Sequence, residues 1–258
     1  MLKLSANLSL LYTHLPWRAR FDAARAAGFE AVEIQFPYQT PLAELVAASQ
    51  TSGLPVVLIN LPAADLMEGG AGLACHPARQ GAFRQAFTTL LPYAEALGVE
   101  AVNILPGRLP AGVARETALE VLSANLHHAA ALLAGHGIRA TFEAINRHDM
   151  PGFLVSSGDD MLALLEDVAH ANLYMQADLY HLARSGDNIT AFLAKHWARI
   201  GHIQFADVPG RGAPGSGTLP FDDLFAQIAA LPYRYWTGAE YRPGAPAEAW
   251  LERWRRRS

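Results

Sequence analysis

The chain has 258 residues, 51% of them apolar, and a formal net charge of −4. That length suits one large α/β barrel or two smaller domains. The acidic balance argues against a nucleic-acid surface, and no apolar run approaches the roughly 20 residues that span a bilayer. A single cysteine, Cys75, excludes an internal disulfide and fits a reducing cytoplasm. The first residues, Met1-Leu-Lys-Leu-Ser-Ala-Asn7, lack the basic and long apolar stretches of a signal peptide.

In chain order, short apolar runs alternate with longer segments whose apolar residues recur at helical spacing. The strand candidates are residues 3–8, 31–36, 55–60, 101–105, 139–144, 173–178, 202–206 and 235–240. The helical segments are residues 18–27, 42–52, 79–97, 117–136, 159–169, 189–199, 221–231 and 247–256. Gly28, Gly53, Gly98 and Gly137 each stand between a helical pattern and a strand, as C-terminal helix glycines do. Ser157, followed by Gly-Asp-Asp160, reads as an N-cap with acids in the first turn. Eight strand–helix units with no linker, repeat or low-complexity stretch predict a single (β/α)₈ TIM barrel over residues 1–258. The basic run Arg253-Trp-Arg-Arg-Arg257 reads as a solvated helix end that complements the macrodipole, with a phosphate-binding tail as the alternative.

In such a barrel the chemistry sits at the C-terminal ends of the strands. Asn7, Glu33, Asn60, Asn103, Glu143, Asp178, Gln204 and Glu240 all fall at or near these ends. A buried strand does not normally finish on a carboxylate, because an unpaired charge in an apolar setting is costly. Glu143, Asp178, Gln204 and Glu240 come from strands five to eight and make an all-oxygen set for a divalent cation. Mg²⁺ or Mn²⁺ suits it better than Zn²⁺. A metal-free, hydrogen-bonded carboxylate cluster is the alternative, and the mutual repulsion of its acids weighs against it. An α-hydroxycarbonyl compound presents two adjacent oxygens to such a cation, which acidifies the C–H between them and favours an enediolate. Glu143 and Glu240 are the natural acid/base pair for moving the proton, with Asp178 and Gln204 mainly ligands.

His181, three residues beyond Asp178, is placed to contact a substrate oxygen or to orient Asp178. Arg147 and Arg211 suit two-point contact with a carboxylate, or a surface ion pair. Asn60 is a further candidate for substrate contact. The glycine-rich segment 209–217 lacks the lysine-serine ending of a P-loop and reads as a lid over the site. His127 and His128 diverge by about 100° on one helix and read as structural. Cys75-His76 has no partner cysteine and carries no nucleophilic role. The two lysines, Lys3 and Lys195, fall in the first strand and in a helix, which disfavours Schiff-base chemistry.

The segments Ala6-Asn-Leu-Ser-Leu10, Gly28-Phe-Glu-Ala-Val-Glu33, Phe36-Pro-Tyr38, Asn60-Leu-Pro62 and Gly72-Leu-Ala-Cys-His-Pro77 resemble the hydroxypyruvate isomerase family of the xylose-isomerase-like barrel superfamily. Glu143-Ala-Ile-Asn146, Asp178-Leu-Tyr-His181 and Gly201-His-Ile-Gln-Phe-Ala-Asp-Val-Pro-Gly-Arg211 carry the most specific part of the likeness. The resemblance implies a (β/α)₈ fold, a divalent metal at Glu143, Asp178, Gln204 and Glu240, and Glu143 and Glu240 as the acid/base pair. Related ketose 3-epimerases typically place histidine where Gln204 stands, so Gln204 leans toward the hydroxypyruvate and 2-oxo-tetronate isomerase branch. Near Gly217-Thr218 the family tends to carry a Gly-Glu pair, which this chain lacks.

The expected activity is conversion of a small hydroxy-oxo acid, hydroxypyruvate to tartronate semialdehyde, without nucleic-acid or membrane partners and with a dimer or tetramer as the family's habit. A 2-oxo-tetronate isomerase or ketose 3-epimerase keeps the chemistry and changes the substrate. A phosphodiesterase acting on damaged DNA would need more histidine ligands and a basic groove. A sugar-acid binding protein without catalysis would have no use for an intact Glu143–Glu240 pair.

Overall fold

The computed structural model describes residues 2–244 and 249–255. Its strands are β1 (Lys3–Asn7), β2 (Ala31–Ile34), β3 (Val56–Asn60), β4 (Ala101–Asn103), β5 (Arg139–Glu143), β6 (Leu173–Asp178), β7 (Ile200–Phe205) and β8 (Trp236–Ala239). They close into a parallel barrel in chain order, β8 pairing back onto β1. The helices are α1 (Trp17–Ala27), α2 (Leu42–Ser52), α3 (Gln80–Leu97), α4 (Arg115–Gly135), α5 (Gly158–Val168), α6 (Leu179–Ser185), α7 (Ile189–His196), α8 (Phe221–Ala230) and α9 (Ala249–Arg255). Arg256 and Arg257 of the predicted basic run, and residues 247, 248 and 256 of the predicted last helix, lie outside the described residues.

The strands read as near-continuous apolar runs because both faces are covered, by side chains inside the barrel and by helices outside. β3, Val-Val-Leu-Ile-Asn, is buried at every position. Gly28, Gly53 and Gly98 close α1, α2 and α3 in the left-handed conformation that releases the chain toward the next strand. Ser157 caps α5 by accepting from the Asp160 amide. Trp250 of α9 packs its ring on Phe205 and Phe225, so the last helix is tied to β7 and α8.

Two expectations on elements change. The predicted helix 189–199 ends at His196 and gives way to a 3₁₀ turn, Trp197–Arg199, and β7 begins at Ile200. A helix the periodicity did not reveal, α6, starts directly on the last residue of β6, with no loop between them. Among the described residues no helix is long and apolar enough to cross a membrane.

Candidate active site

Glu143 ends β5, Asp178 ends β6, Gln204 lies one residue before the end of β7, and Glu240 follows β8 directly. Strand pairing sets Asp178 level with Gln204, and Gln204 level with Gly238. All four side chains are buried at the mouth of the barrel. Asp178 also serves as the N-cap of α6, its Oδ1 accepting from the amides of Tyr180 at 2.8 Å and His181 at 3.3 Å. That cap locks the carboxylate and swings His181 back over it, with Nε2 at 3.6 Å from Asp178 Oδ2.

Each carboxylate has its own set of donors. Asn103 Nδ2 donates to Glu143 Oε1 at 2.7 Å. Glu240 Oε1 accepts from Gln35 at 2.8 Å, Asn7 at 3.0 Å and Gln204 at 3.2 Å, while Oε2 accepts from Arg211 at 2.5 Å. The Arg211 guanidinium also stands 3.9 Å from Asp178 Oδ2, so one cation bridges two acids. Burial pushes the carboxyls of Glu143, Asp178 and Glu240 above their ordinary range, Glu143 furthest because Glu240 and Asp178 add like charge. Contact with Arg211 works against the rise at Glu240 and Asp178.

His181 is held neutral. Burial, helped by Arg211, lowers it to about 3. Its Nδ1 faces two donors, the Asn146 amide at 3.4 Å and Asn146 Nδ2 at 2.7 Å. The Asn146 side-chain oxygen is taken by the amides of His148 and Asp149, so the nitrogen must face the ring. Nδ1 is therefore the bare nitrogen and Nε2 carries the proton.

Beneath this layer lies a second buried polar group, Glu33 bonded to His202, that sequence reasoning left as one strand-end residue. Glu33 is fully buried in the barrel, with Oε1 2.7 Å from His202 Nε2 and 2.6 Å from Ser5 Oγ. Burial raises its pKa, but the charge and hydrogen bond of His202 and donors from Ser5 and Gln204 outweigh it, and the net direction is down. Gln204 Nε2 donates to both Glu33 and Glu240, and Gln204 Oε1 accepts from Gln176 at 2.7 Å. Gln204, expected to offer its oxygen to a metal, spans the two layers between Glu33 and Glu240.

A cavity of about 250 Å³ opens above the acids. Of the residues expected from sequence, Glu143, Glu240, His181, Arg211 and Asn60 line it. Arg147 is exposed and does not. Residues the sequence did not single out also line it: Gln35, Met67, Asp149, Met150 and Arg242. Gln35 lies just past β2, where only its nearness to Glu33 pointed inward. The expected lid, 209–217, is stapled down: Asp207 accepts from the amides of Val208, Gly215, Gly217 and Leu219. Cys75 is buried, burial pushes its thiol up to about 11, and it stays inert.

Glu143, Asp178 and His181 each offer one donor atom, all within 4.8 Å of one another. With Nδ1 of His181 occupied by donors, His181 is better suited to donate from Nε2 than to ligate. Glu240, buried at the same mouth, stands outside that close group, and with Glu143 and Asp178 it sets three buried acids against one bridging guanidinium, a balance that suits a cation. The donor set fits a hard divalent cation.

A family model for the xylose isomerase-like TIM barrel matches residues 21–257. The hydroxypyruvate isomerase of Escherichia coli (strain K12) is 40% identical over 254 residues, 98% of this chain and 98% of its own. The 2-oxo-tetronate isomerase of Cupriavidus necator is 38% identical, over 97% of this chain and 96% of its own. Among solved structures, an AP endonuclease, family 2 from Brucella melitensis superposes with a TM-score of 0.93 at 32% identity, covering 98% of this chain and 99% of that one.

Proposed function

Since this chain belongs to the xylose isomerase-like TIM barrel family, we propose that it is an isomerase that moves one proton between adjacent carbons of a short hydroxy-oxo acid. Hydroxypyruvate to tartronate semialdehyde is the leading case. The observation that carries the proposal is that Glu143 and Glu240, both proton-hungry for buried reasons, line one small cavity with a neutral histidine beside them. Full-length relatives that are isomerases support the same class.

One glutamate removes a proton from C3, and the other returns a proton to C2. The hydroxyl proton passes from O3 to O2, so the alcohol and carbonyl exchange places with no net change in atoms. A divalent cation, Mg²⁺ or Mn²⁺, held by Glu143, Asp178, Gln204 and Glu240 would supply positive charge that stabilises the enediolate. His181 Nε2–H donates to a substrate oxygen, and the Asn146 donors at Nδ1 keep the ring in that tautomer. Arg211 keeps Glu240 in place and oriented. The cavity of about 250 Å³ lies below the roughly 300–1,000 Å³ of drug-sized sites and suits a three- or four-carbon acid. Cys75, a lone thiol without a partner cysteine, is consistent with a reducing cytoplasm.

The test is proton NMR of metal-loaded protein in D₂O with hydroxypyruvate and, separately, 2-oxo-tetronate. We expect deuterium entry together with a new aldehyde or ketone signal, and the ratio of kcat/KM ranks the two acids. Glu143→Gln and Glu240→Gln should each reduce turnover by about 10²–10⁴ with unchanged circular dichroism. Near-normal turnover in both variants would end the assignment. The Brucella neighbour raises cleavage of damaged DNA as a second reading. A cavity this small, acid-lined and in a chain of net charge −4 speaks against it. Cleavage of an abasic-site duplex by this protein would reverse that judgement.

A further inference from the structure

We propose that Arg242 receives the carboxylate of the substrate at the cavity rim and makes the site choose acids over neutral hydroxy ketones. The proposal rests on the isomerase reading above and names the group that recognises its substrate class.

An anionic substrate approaching Glu143, Asp178 and Glu240 is repelled unless a cation meets it first. Two arginines line the cavity, Arg211 and Arg242. Arg211 is committed through its Nη2, though its buried Nε has no partner among the described residues. Its NH2 group lies 2.5 Å from Glu240 Oε2 and 3.9 Å from Asp178 Oδ2, and its guanidinium sits 5.3 Å from the centre of the Tyr180 ring. Turning it toward a ligand would leave two buried acids uncompensated.

Arg242 is differently placed. Its backbone amide donates to the Arg211 carbonyl at 2.7 Å, which fixes the root of the side chain two residues beyond Glu240. Its side chain is exposed and makes no hydrogen bond or ion pair with any described residue. A planar guanidinium with free donors at the edge of an acidic cavity is built for two-point contact with a carboxylate. Held there, a three-carbon acid would point its hydroxyl and carbonyl carbons inward, between Glu143 and Glu240. Arg147, expected from sequence for this task, stands exposed outside the cavity.

The experiment compares wild type, Arg242→Gln and Arg242→Lys with hydroxypyruvate and with hydroxyacetone, which lacks the carboxylate, in the same D₂O assay. Calorimetric titration of the metal-loaded proteins with tartronate provides a readout independent of turnover. We expect Arg242→Gln to raise KM for hydroxypyruvate at least tenfold with a smaller change in kcat. The preference for the acid over hydroxyacetone should fall at least tenfold, and tartronate binding should weaken by a similar factor. Arg242→Lys should restore part of each. Equal losses on acid and neutral substrate, or unchanged tartronate binding, would overturn the proposal. If wild type turns over neither compound, the isomerase reading fails, and the titration alone decides: tartronate binding lost in Arg242→Gln sustains the carboxylate site, and binding equal in both or absent in wild type removes it.

Discussion

Gly238 shows how a residue with no side chain shapes this site. A Cβ at that position would lie 1.8 Å from Glu33 Oε1. Glu33 cannot retreat, because Ser5 and His202 hold that same oxygen and burial denies it water. Gly238→Ala should therefore overpack the barrel and break a buried pair, at a cost of about 3 kcal/mol or more, or roughly 6 °C or more in Tm. Thermal unfolding followed by circular dichroism checks this, and a Tm within 2 °C of wild type would contradict it. Single residues were also where the sequence was least informative. A carboxylate at a strand end is visible as an anomaly, and Glu143, Asp178 and Glu240 stood out for that reason. Whether Gln204 offers its oxygen or its nitrogen depends on which acids surround it, and those come from β2 and β8, far away in the chain. Arg242 carries no periodicity at all; only the closed barrel sets it at the rim.

Elements were legible where burial imposes a period. The strands stood out as short apolar runs, and α1 to α4 as helical-period segments with a glycine at or just past their ends. Helix α6 was hidden because its cap, Asp178, is also a strand end and a site residue, so no turn punctuates the join. The segment after β7 was read as a lid from its glycines, yet Gly217 serves close packing: a Cβ there would lie 1.9 Å from the Val208 carbonyl oxygen. Asp207 is the staple. Asp207→Ala should speed hydrogen exchange at Gly215 and Gly217, release Arg211 from Glu240 and raise KM severalfold; unchanged exchange there would show that the loop is held by something else. The 3₁₀ turn Ala64–Glu68 limits the site on the other side. Its Met67 is 55% exposed and, with Phe36, lines both the active cavity and a neighbouring one of about 360 Å³. Met67→Ala should join the two and shift kcat/KM toward four-carbon and longer acids by about tenfold, with little loss of stability. A variant that keeps the wild-type substrate ranking would place the size limit elsewhere.

For the molecule as a whole, the barrel mouth trades stability for chemistry. Glu143, Asp178 and Glu240 bind protons more tightly when folded than when unfolded. As pH rises from the ordinary carboxylate range of about 4, the unfolded chain loses these protons first. The folded state is then increasingly disfavoured until its own carboxyls ionise. Glu33 runs the opposite way: its lowered folded pKa contributes stability above the carboxylate range that is lost as pH falls. Glu33 acts below the window between pH 5.5 and pH 8; inside it the opposing group is His181, whose folded pKa of about 3 costs stability below the ordinary histidine range, a cost that fades as pH rises. Three raised carboxyls against this one histidine predict that, at this site, metal-free protein is less stable at pH 8 than at pH 5.5. A divalent cation binds only the ionised acids and only the folded arrangement, so it reverses the penalty where the penalty is greatest. Thermal melts with and without Mn²⁺ should show a larger rise in Tm at pH 8 than at pH 5.5. In Glu143→Gln, which removes one repelling charge and one donor, the metal-free protein should melt higher at pH 8 while the Mn²⁺ increment shrinks. An equal increment at both pH values, or an undiminished one in Glu143→Gln, would mean that the cation is held outside this cluster of acids.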